Sequence, residues 1–351
     1  MVYFASINYH DVHPLSSSTE VFSKKNYLKE NSVDKKIIKE FLRFFFREKV
    51  KNVDSGQWEW INKNIKNDFI RAINSSDINF LSYHLTNFFK SETSFGLISS
   101  TYKNVFKNNK TKNIFVSDIL KNISVWEEFV KLKNKDYNLI HENKEIGNPY
   151  GVMYKKKKII YDTPRHDYYA YKIINILKHK KNPTILEVGG GYGGLLLQLL
   201  KRNFKFNYIN VDLPETLLTS YYYLRKKLGI NINLKKKLHI SKEKIIFVPY
   251  SENFFDEEVQ IDLLFNANSF SEMSKKILSN YFYLINKKIK PKFILHQNSN
   301  VNLFPESERH IEIQASEFNI DMKNYVKIFS NVSMFQGGSG RYREYLYKRL
   351  R

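Results

Sequence analysis

The sequence predicts an α/β fold: a Rossmann-like, mostly parallel seven-stranded sheet with an antiparallel C-terminal strand, preceded by a mostly helical region. Three observations predict it. Residues 184–200, TILEVGGGYGGLLLQLL, read as a buried strand, a glycine turn and the start of a helix. Beyond them, strand-like and helix-like segments alternate, as parallel strands joined by crossover helices require. Two late β-prone runs joined by Gly337-Gly338-Ser339-Gly340 then imply an antiparallel ending.

In chain order, residues 1–23 are polar and Ser-rich. His10, Asp11 and His13 stand together there, a spacing that could ligate a metal but that a frayed N-terminal segment explains better. Apolar residues at helical spacing follow in 34–51 (Ile37, Ile38, Phe41, Leu42, Phe44, Phe45), 57–73, 77–90 and 116–132, joined by Asn/Ser/Lys-rich stretches. The stripe Trp58, Ile61, Ile65 and Phe69 has the spacing of one helix packing a core, although aromatics among lysines are also what a nucleic-acid face shows. Residues 1–145 are therefore assigned to a helical cap or substrate region and 146–351 to the α/β domain. At 152–161 two short β-prone runs flank Lys155, Lys156, Lys157 and Lys158, a hairpin whose lysines either grip anionic groups or form a solvated turn.

Thr163 and Pro164 open a helix to about His179. In a doubly wound sheet this helix runs antiparallel to the first strand, so Arg165, His166 and Asp167 stand at the carboxyl edge, where ligands bind. After the glycine loop, a strand at 207–211 ends in Asp212-Leu213-Pro214-Glu215, and Pro214 opens a helix to 228. Strands at 244–249 and 261–265, a helix at 274–289, a strand at 292–296 and a helix at 305–318 follow, before the late strands at 325–335 and 342–348.

The chain of 351 residues is 42% hydrophobic, enough for a real core, and carries 57 Lys+Arg against 35 Asp+Glu, a net +22. That charge suits nucleic acid, an anionic membrane surface or an acidic substrate, but the excess of Lys over Arg together with abundant Asn and Ile also fits an AT-rich coding bias. With no cysteine there is no disulfide and no thiolate metal site. No apolar run approaches the ~18 residues of a membrane span, and a soluble, cytoplasmic protein is expected.

Gly189, Gly191 and Gly194 satisfy the G-x-G-x-x-G of dinucleotide sites, with Asp212 placed to meet ribose hydroxyls. Glu187 tips the choice of cofactor. Two residues before the first glycine, its carboxylate would repel a pyrophosphate and welcome an amino group, which favours S-adenosylmethionine over NAD. The antiparallel ending is likewise unlike the all-parallel dinucleotide fold. Candidate cofactor contacts are Glu187, Gly189, Gly190, Gly191, Asp212 and Leu213, then Tyr250 and Ser251 after the third strand, and Asn266 and Asn268 after the fourth.

The stretches EVGGGYGGL, VDLPET with LTSYYYL, and FNANSFSEMS with SNYFYLIN resemble the sugar O-methyltransferases of bacterial surface-glycan gene clusters. These are a branch of class I S-adenosylmethionine-dependent methyltransferases, and the resemblance runs from about 147 to 297. It implies methylation of a sugar hydroxyl in a capsule or lipopolysaccharide or its precursor. In-line displacement from a sulfonium needs the acceptor proton removed. His166 is named as base, Glu272 as orienting or deprotonating group, and His296, after the fifth strand, as the rival base. Arg165, Tyr168 and Tyr169 are candidates for holding the acceptor. Asn266 and Asn268 put amides where a metal-binding carboxylate would stand, so no metal is expected. The expected partner is a sugar or glycan, acidic or phosphorylated if the lysines serve it, and peripheral contact with membrane-bound glycan assembly is compatible with the charge. Nucleic acid is not expected. The alternatives are an RNA methyltransferase, suggested by the charge, and a cofactor-binding scaffold without catalysis.

Overall fold

The computed structural model describes residues 13, 15–24, 26–45, 56–99, 101–133, 138–139, 141–142, 144–238, 244–251, 254–255, 259–301, 312–335 and 341–350. Among the described residues the first elements are a short strand, β1 (Val21–Ser23), and the helices α1 (Ser32–Phe45), α2 (Gln57–Asn64), α3 (Asn67–Ser75), α4 (Ile78–Thr86), α5 (Tyr102–Val105) and α6 (Asn109–Trp126). The single helix expected over 57–73 is two, broken at Ile65 and Lys66. A hairpin of β2 (Tyr150–Tyr154) and β3 (Lys157–Ile160) adds β1 as a third strand, Phe22 opposite Gly151. His10 and Asp11 lie outside the described residues.

Next come α7 (Thr163–Leu177), β4 (Thr184–Val188), α8 (Gly194–Lys201), β5 (Asn207–Asp212), α9 (Pro214–Leu228), β6 (Asn233–Leu234) and β7 (Ile245–Pro249). β8 (Leu263–Ala267), α10 (Ser269–Glu272), α11 (Lys275–Leu284), β9 (Phe293–Ser299), β10 (Tyr325–Val332) and β11 (Tyr342–Arg349) complete the chain. Asp162, not Thr163, is the residue before α7, and its carboxylate pairs with Arg165 and accepts from the Ser99 hydroxyl. Of the helix expected over 305–318, residues 305–311 lie outside the described residues, and the rest holds only a 3-10 turn, Ala315–Glu317. The Gly337–Gly340 turn also lies outside them, but the strands that flank it pair antiparallel.

The main sheet runs β10-β11-β9-β8-β4-β5-β7-β6. β11 lies antiparallel between β10 and β9, and the other described pairings are parallel. This is the class I methyltransferase order, with the two-residue β6 added at one edge. β8 and β9 run further than their apolar cores suggest. β8 extends through Asn266 and Ala267, and β9 through Ser299, because β11 supplies backbone partners as far as Tyr342 opposite Ser299.

One sheet face (Ile185, Tyr208, Phe247, Leu263, Phe265, Leu295) shares a single core with α7, α8, α9 and the N-terminal helices. The other face (Leu186, Val188, Ile209, Val248, Leu264, Ile294) packs on α11 and on Phe318 and Ile320. The N-terminal helices are also tied down by polar contacts. Asp34, fully buried, takes the Tyr222 hydroxyl at 2.6 Å and pairs with Lys226, while Glu40 pairs with Arg225 at 2.8 Å. Asp167 is buried against Arg202 at 2.6 Å and accepts from the Trp126 indole at 2.7 Å, which joins α6, α7 and α8. Among the described residues no helix is long and apolar enough to cross a membrane.

Truncating Asp167 leaves the Arg202 guanidinium without its buried counter-charge. Asp167→Ala is expected to lose roughly 3–5 kcal/mol in urea unfolding, while Asp68→Ala, in an exposed pair, loses under about 1 kcal/mol.

Candidate functional site

The site forms where β4 stops and the chain must turn. Gly189, at φ 75°, donates its N–H to the Val211 carbonyl at 2.9 Å, and a Cβ there would stand 2.1 Å from the Ser269 hydroxyl. Only glycine permits that approach. Gly191, at φ 57°, donates to Asp212 Oδ2 at 3.0 Å, and a Cβ there would meet nothing within 4 Å. That open space belongs to a cavity.

The cavity is built from three directions. Glu187, Gly189, Gly190, Gly191 and Asp212 come from the first two strands of the parallel core. Arg165, His166 and Tyr169 come from the start of α7, and Asn268, Ser269 and Glu272 from the turn after β8. The N-terminal region closes it with Trp58, Gly96 and Leu97. A second, mostly apolar compartment shares Trp58, Gly189, Asp212 and Ser269 and adds Leu213, Tyr250, Met273, Ile277 and Tyr281. Beyond Gly96, which lines both, lies a larger cleft of about 740 Å³ between α2, α6 and the Glu312–Arg341 pair.

Three carboxylates at this edge lack a full counter-charge. Burial pushes Glu187 up to about 8 although the Tyr208 hydroxyl donates to it. Burial likewise lifts Asp212 to about 7, against hydrogen bonds from the backbone N–H groups of Leu213 and Gly191. Glu272 is lifted to about 7 by burial first and by Glu312 second, against the Trp58 indole, which donates to Oε2 at 3.1 Å. Lys66, buried, holds its ammonium 4.6 Å from the Trp58 ring and is lowered to about 8 by burial. Arg165 pairs with Asp162 at 3.2 Å and leaves Nε and Nη1 buried with no partner. Thr216 Oγ1, Asn210 Oδ1 and Asn268 Oδ1 are also buried without a partner.

These features fit S-adenosylmethionine: carboxylates that a cation and hydroxyl donors would satisfy, a guanidinium short of an acceptor, an apolar slot for a flat ring, and a cradle that a Cβ at Gly191 would fill. Among the described residues no cluster of three His, Cys, Asp or Glu could hold a metal ion.

The structure brings most of the expected residues together and sets four apart. His296 lies inside β9, fully buried, stacked on Tyr345 at 4.9 Å and beside Phe318 at 5.2 Å. It shares the face of β9 that Ile294 turns to the core on the α11 side, and β9 continues past it to Ser299 instead of ending there. Asn266 lies inside β8 and spends its amide on Val188 O and Ser269 Oγ and its carbonyl on Phe270 N and Asn298, so it braces the glycine turn from behind. Tyr168 donates to Glu344, outside the cavity lining, and Ser251 is exposed beyond the third strand. His166 does line the cavity, 3.4 Å from the Tyr192 hydroxyl, but burial and then Arg165 push it down to about 3. Asp167, held by Arg202, does not orient it. Lys155 pairs with Glu127 and Lys158 with Glu145, and none of the four hairpin lysines lines these cavities.

Trp58, Lys66 and Thr216 were missed. Trp58 and Trp60 lie two apart on one helix, hence on nearly opposite faces, and that alone signals that one of them leaves the core. Lys66 and Thr216 carry no signal in sequence.

No protein-family model and no curated protein matches the chain. Among solved structures it is similar to the small RNA methyltransferase HEN1, at 18% identity over 52% of this chain and 25% of that one, TM-score 0.40. It is similar to the mitomycin 7-O-methyltransferase MmcR at 13% identity over 53% and 55%, TM-score 0.37. A magnesium protoporphyrin IX methyltransferase from Synechocystis PCC 6803, with bound SAH, is 9% identical over 53% and 84%, TM-score 0.38. Their substrates are statements about those proteins alone.

The three lifted carboxylates bind protons more tightly folded than unfolded, so their contribution to stability is complete below about pH 4 and is lost as pH rises through about 7 for Asp212 and Glu272 and about 8 for Glu187. Ligand-free protein should therefore lose stability from pH 5 to pH 8, most through Glu187, the least exposed. Glu187→Gln should flatten that slope in denaturant titrations; an unchanged slope removes Glu187 as its source.

Proposed function

We propose that this protein is an S-adenosylmethionine-dependent O-methyltransferase acting on a sugar hydroxyl, with Glu272 as general base. The observation that supports it most is Glu272 itself: a carboxylate lifted to about 7, lining the glycine-loop cavity that Gly96 shares with the 740 Å³ cleft. Such a group is half deprotonated at working pH and still basic enough to take a proton.

Glu187 would accept from the amino group of the cofactor, Asp212 from the ribose hydroxyls, and Arg165 would meet the carboxylate through Nε and Nη1. Leu213, Tyr250, Ile277 and Tyr281 offer the adenine its slot. When bound, the cofactor supplies an electrophilic methyl carbon with a sulfonium leaving group. The protein's part is to hold the acceptor hydroxyl in line and to take its proton on Glu272 as the new O–C bond forms. Trp58, bonded to Glu272 Oε2, fixes the carboxylate's orientation and covers the site from water. His166, lowered to about 3, serves the cavity as a neutral ring beside Tyr192 and not as the base. The sugar acceptor rests on the resemblance of the NSFSEM stretch and on the aromatic and amide lining of the cleft.

S-adenosylmethionine at a hundred times its Kd should add ~2.7 kcal/mol to stability, and NAD none. Gly191→Val, which fills the open cradle, should abolish that shift. A melting temperature raised by NAD alone would refute the cofactor.

For the base, kcat should rise as pH passes about 7, when Glu272 deprotonates. Glu272→Gln should remove that limb and cut kcat by ~10²–10⁴ with cofactor affinity retained, whereas His166→Ala keeps the limb. Labelled methyl entering total RNA but not envelope glycan would assign the enzyme to RNA.

A further inference from the structure

We propose that the cleft between α2, α6 and the Glu312–Arg341 pair is the acceptor site, and that it takes a saccharide bearing free amino groups and rejects phosphorylated or uronic-acid glycans. The proposal rests on the reading of Glu272 as the methyl-transfer base. The cleft opens beside that carboxylate: Gly96 lines both spaces, and Glu312 and Arg341 both act electrostatically on Glu272.

Its lining is sorted by chemistry. Trp60, Phe95 and Phe115 offer ring faces, which suit the C–H face of a pyranose. Gln57, Asn104 and Thr111 offer amides and a hydroxyl around them. The charge is the informative part. Among the described residues the charged side chains of the lining are Asp118, Glu312 and Arg341, two carboxylates against one guanidinium, in a chain of net +22. No lysine is among them. A site for phosphate or carboxylate in so basic a protein would draw on its lysines.

Two atoms here are also unsatisfied. Arg341 Nη2 meets Glu312 Oε1 at 2.7 Å, yet Glu312 Oε2 and Arg341 Nε are buried with no partner, and Glu312 is 8% exposed. A buried carboxylate oxygen without a donor costs free energy that a ligand N–H or O–H recovers. Asp118, half-buried on α6 and lifted by burial although Lys121 nearby opposes the shift, would take an ammonium, which the Trp60 ring face also favours.

The test uses the full-length protein saturated with S-adenosylmethionine, in about 0.15 M salt so that long-range attraction to the net charge is screened. A glucosamine tetrasaccharide, its N-acetylated counterpart and a galacturonate tetrasaccharide are titrated by calorimetry. The amine form should bind at least tenfold more tightly than the galacturonate. Asp118→Asn should reduce the preference for the amine over the acetylated form to near unity, Asp118→Lys should turn the order towards galacturonate, and Trp60→Ala should weaken the amine form at least tenfold.

Tighter galacturonate binding to the wild type, no binding of any of the three, or an order unmoved by both Asp118 variants overturns the proposal. If the order is as stated but no methyl enters any glycan, the cleft stands as a saccharide site and the methyl-transfer reading falls. If methyl transfer depends on Glu272 but the order is absent, the reverse holds.

Discussion

The site depends on one electrostatic constraint: Glu187, Asp212 and Glu272 are gathered at one sheet edge with less positive charge than they need. Each is lifted by burial to about 7 or 8. Nearby cations compensate incompletely. Arg165 is committed on one side to Asp162, and Lys66 sits over the Trp58 ring, close enough to lower Asp212 but itself destabilised by burial. Three strained carboxylates in one place do little for a fold. They suit a ligand that brings positive charge and hydroxyl donors, while burial and the neighbouring Glu312 hold Glu272 near neutrality.

The helical N-terminal region serves this edge directly. Its helices share one hydrophobic cluster with α7, α8 and α9, and its polar ties run through Asp34, Glu40 and Trp126 to residues of the α/β core. The same region places Trp58 on Glu272 and, at Gly96, turns the chain so closely that an added Cβ would stand 3.0 Å from the Trp58 ring. A helical layer that packs by apolar burial and sets a tryptophan against Glu272 makes the site a product of both regions. The basic charge has a different place. Lys155 and Lys158 of the hairpin pair with Glu127 and Glu145 away from the cavities, while the cleft is lined with two carboxylates, one guanidinium, aromatics and amides.

The strand, glycine turn and helix at 184–200, the alternation that follows, and the antiparallel ending were legible in the sequence because they rest on local causes. Those causes are β-prone apolar runs, a turn that only glycine can make, proline at the starts of α7 and α9, and helical spacing of apolar residues. Glu187, Asp212, Glu272 and Arg165 were legible too, since a doubly wound sheet fixes which strand and helix ends meet. What only the tertiary structure decided is what depends on a partner far along the chain. β8 and β9 lengthen because β11 pairs with β9, and that moves Asn266 from an expected loop, and His296 from the expected end of its strand, into the sheet, His296 onto aromatic rings. Tertiary packing also set the two candidate bases apart: burial and then Arg165 push the histidine at the start of α7 down to about 3, while burial and Glu312 lift Glu272 to about 7 against the Trp58 indole from some two hundred residues away. A carboxylate's identity is written in the chain; its pKa is set by what is folded against it.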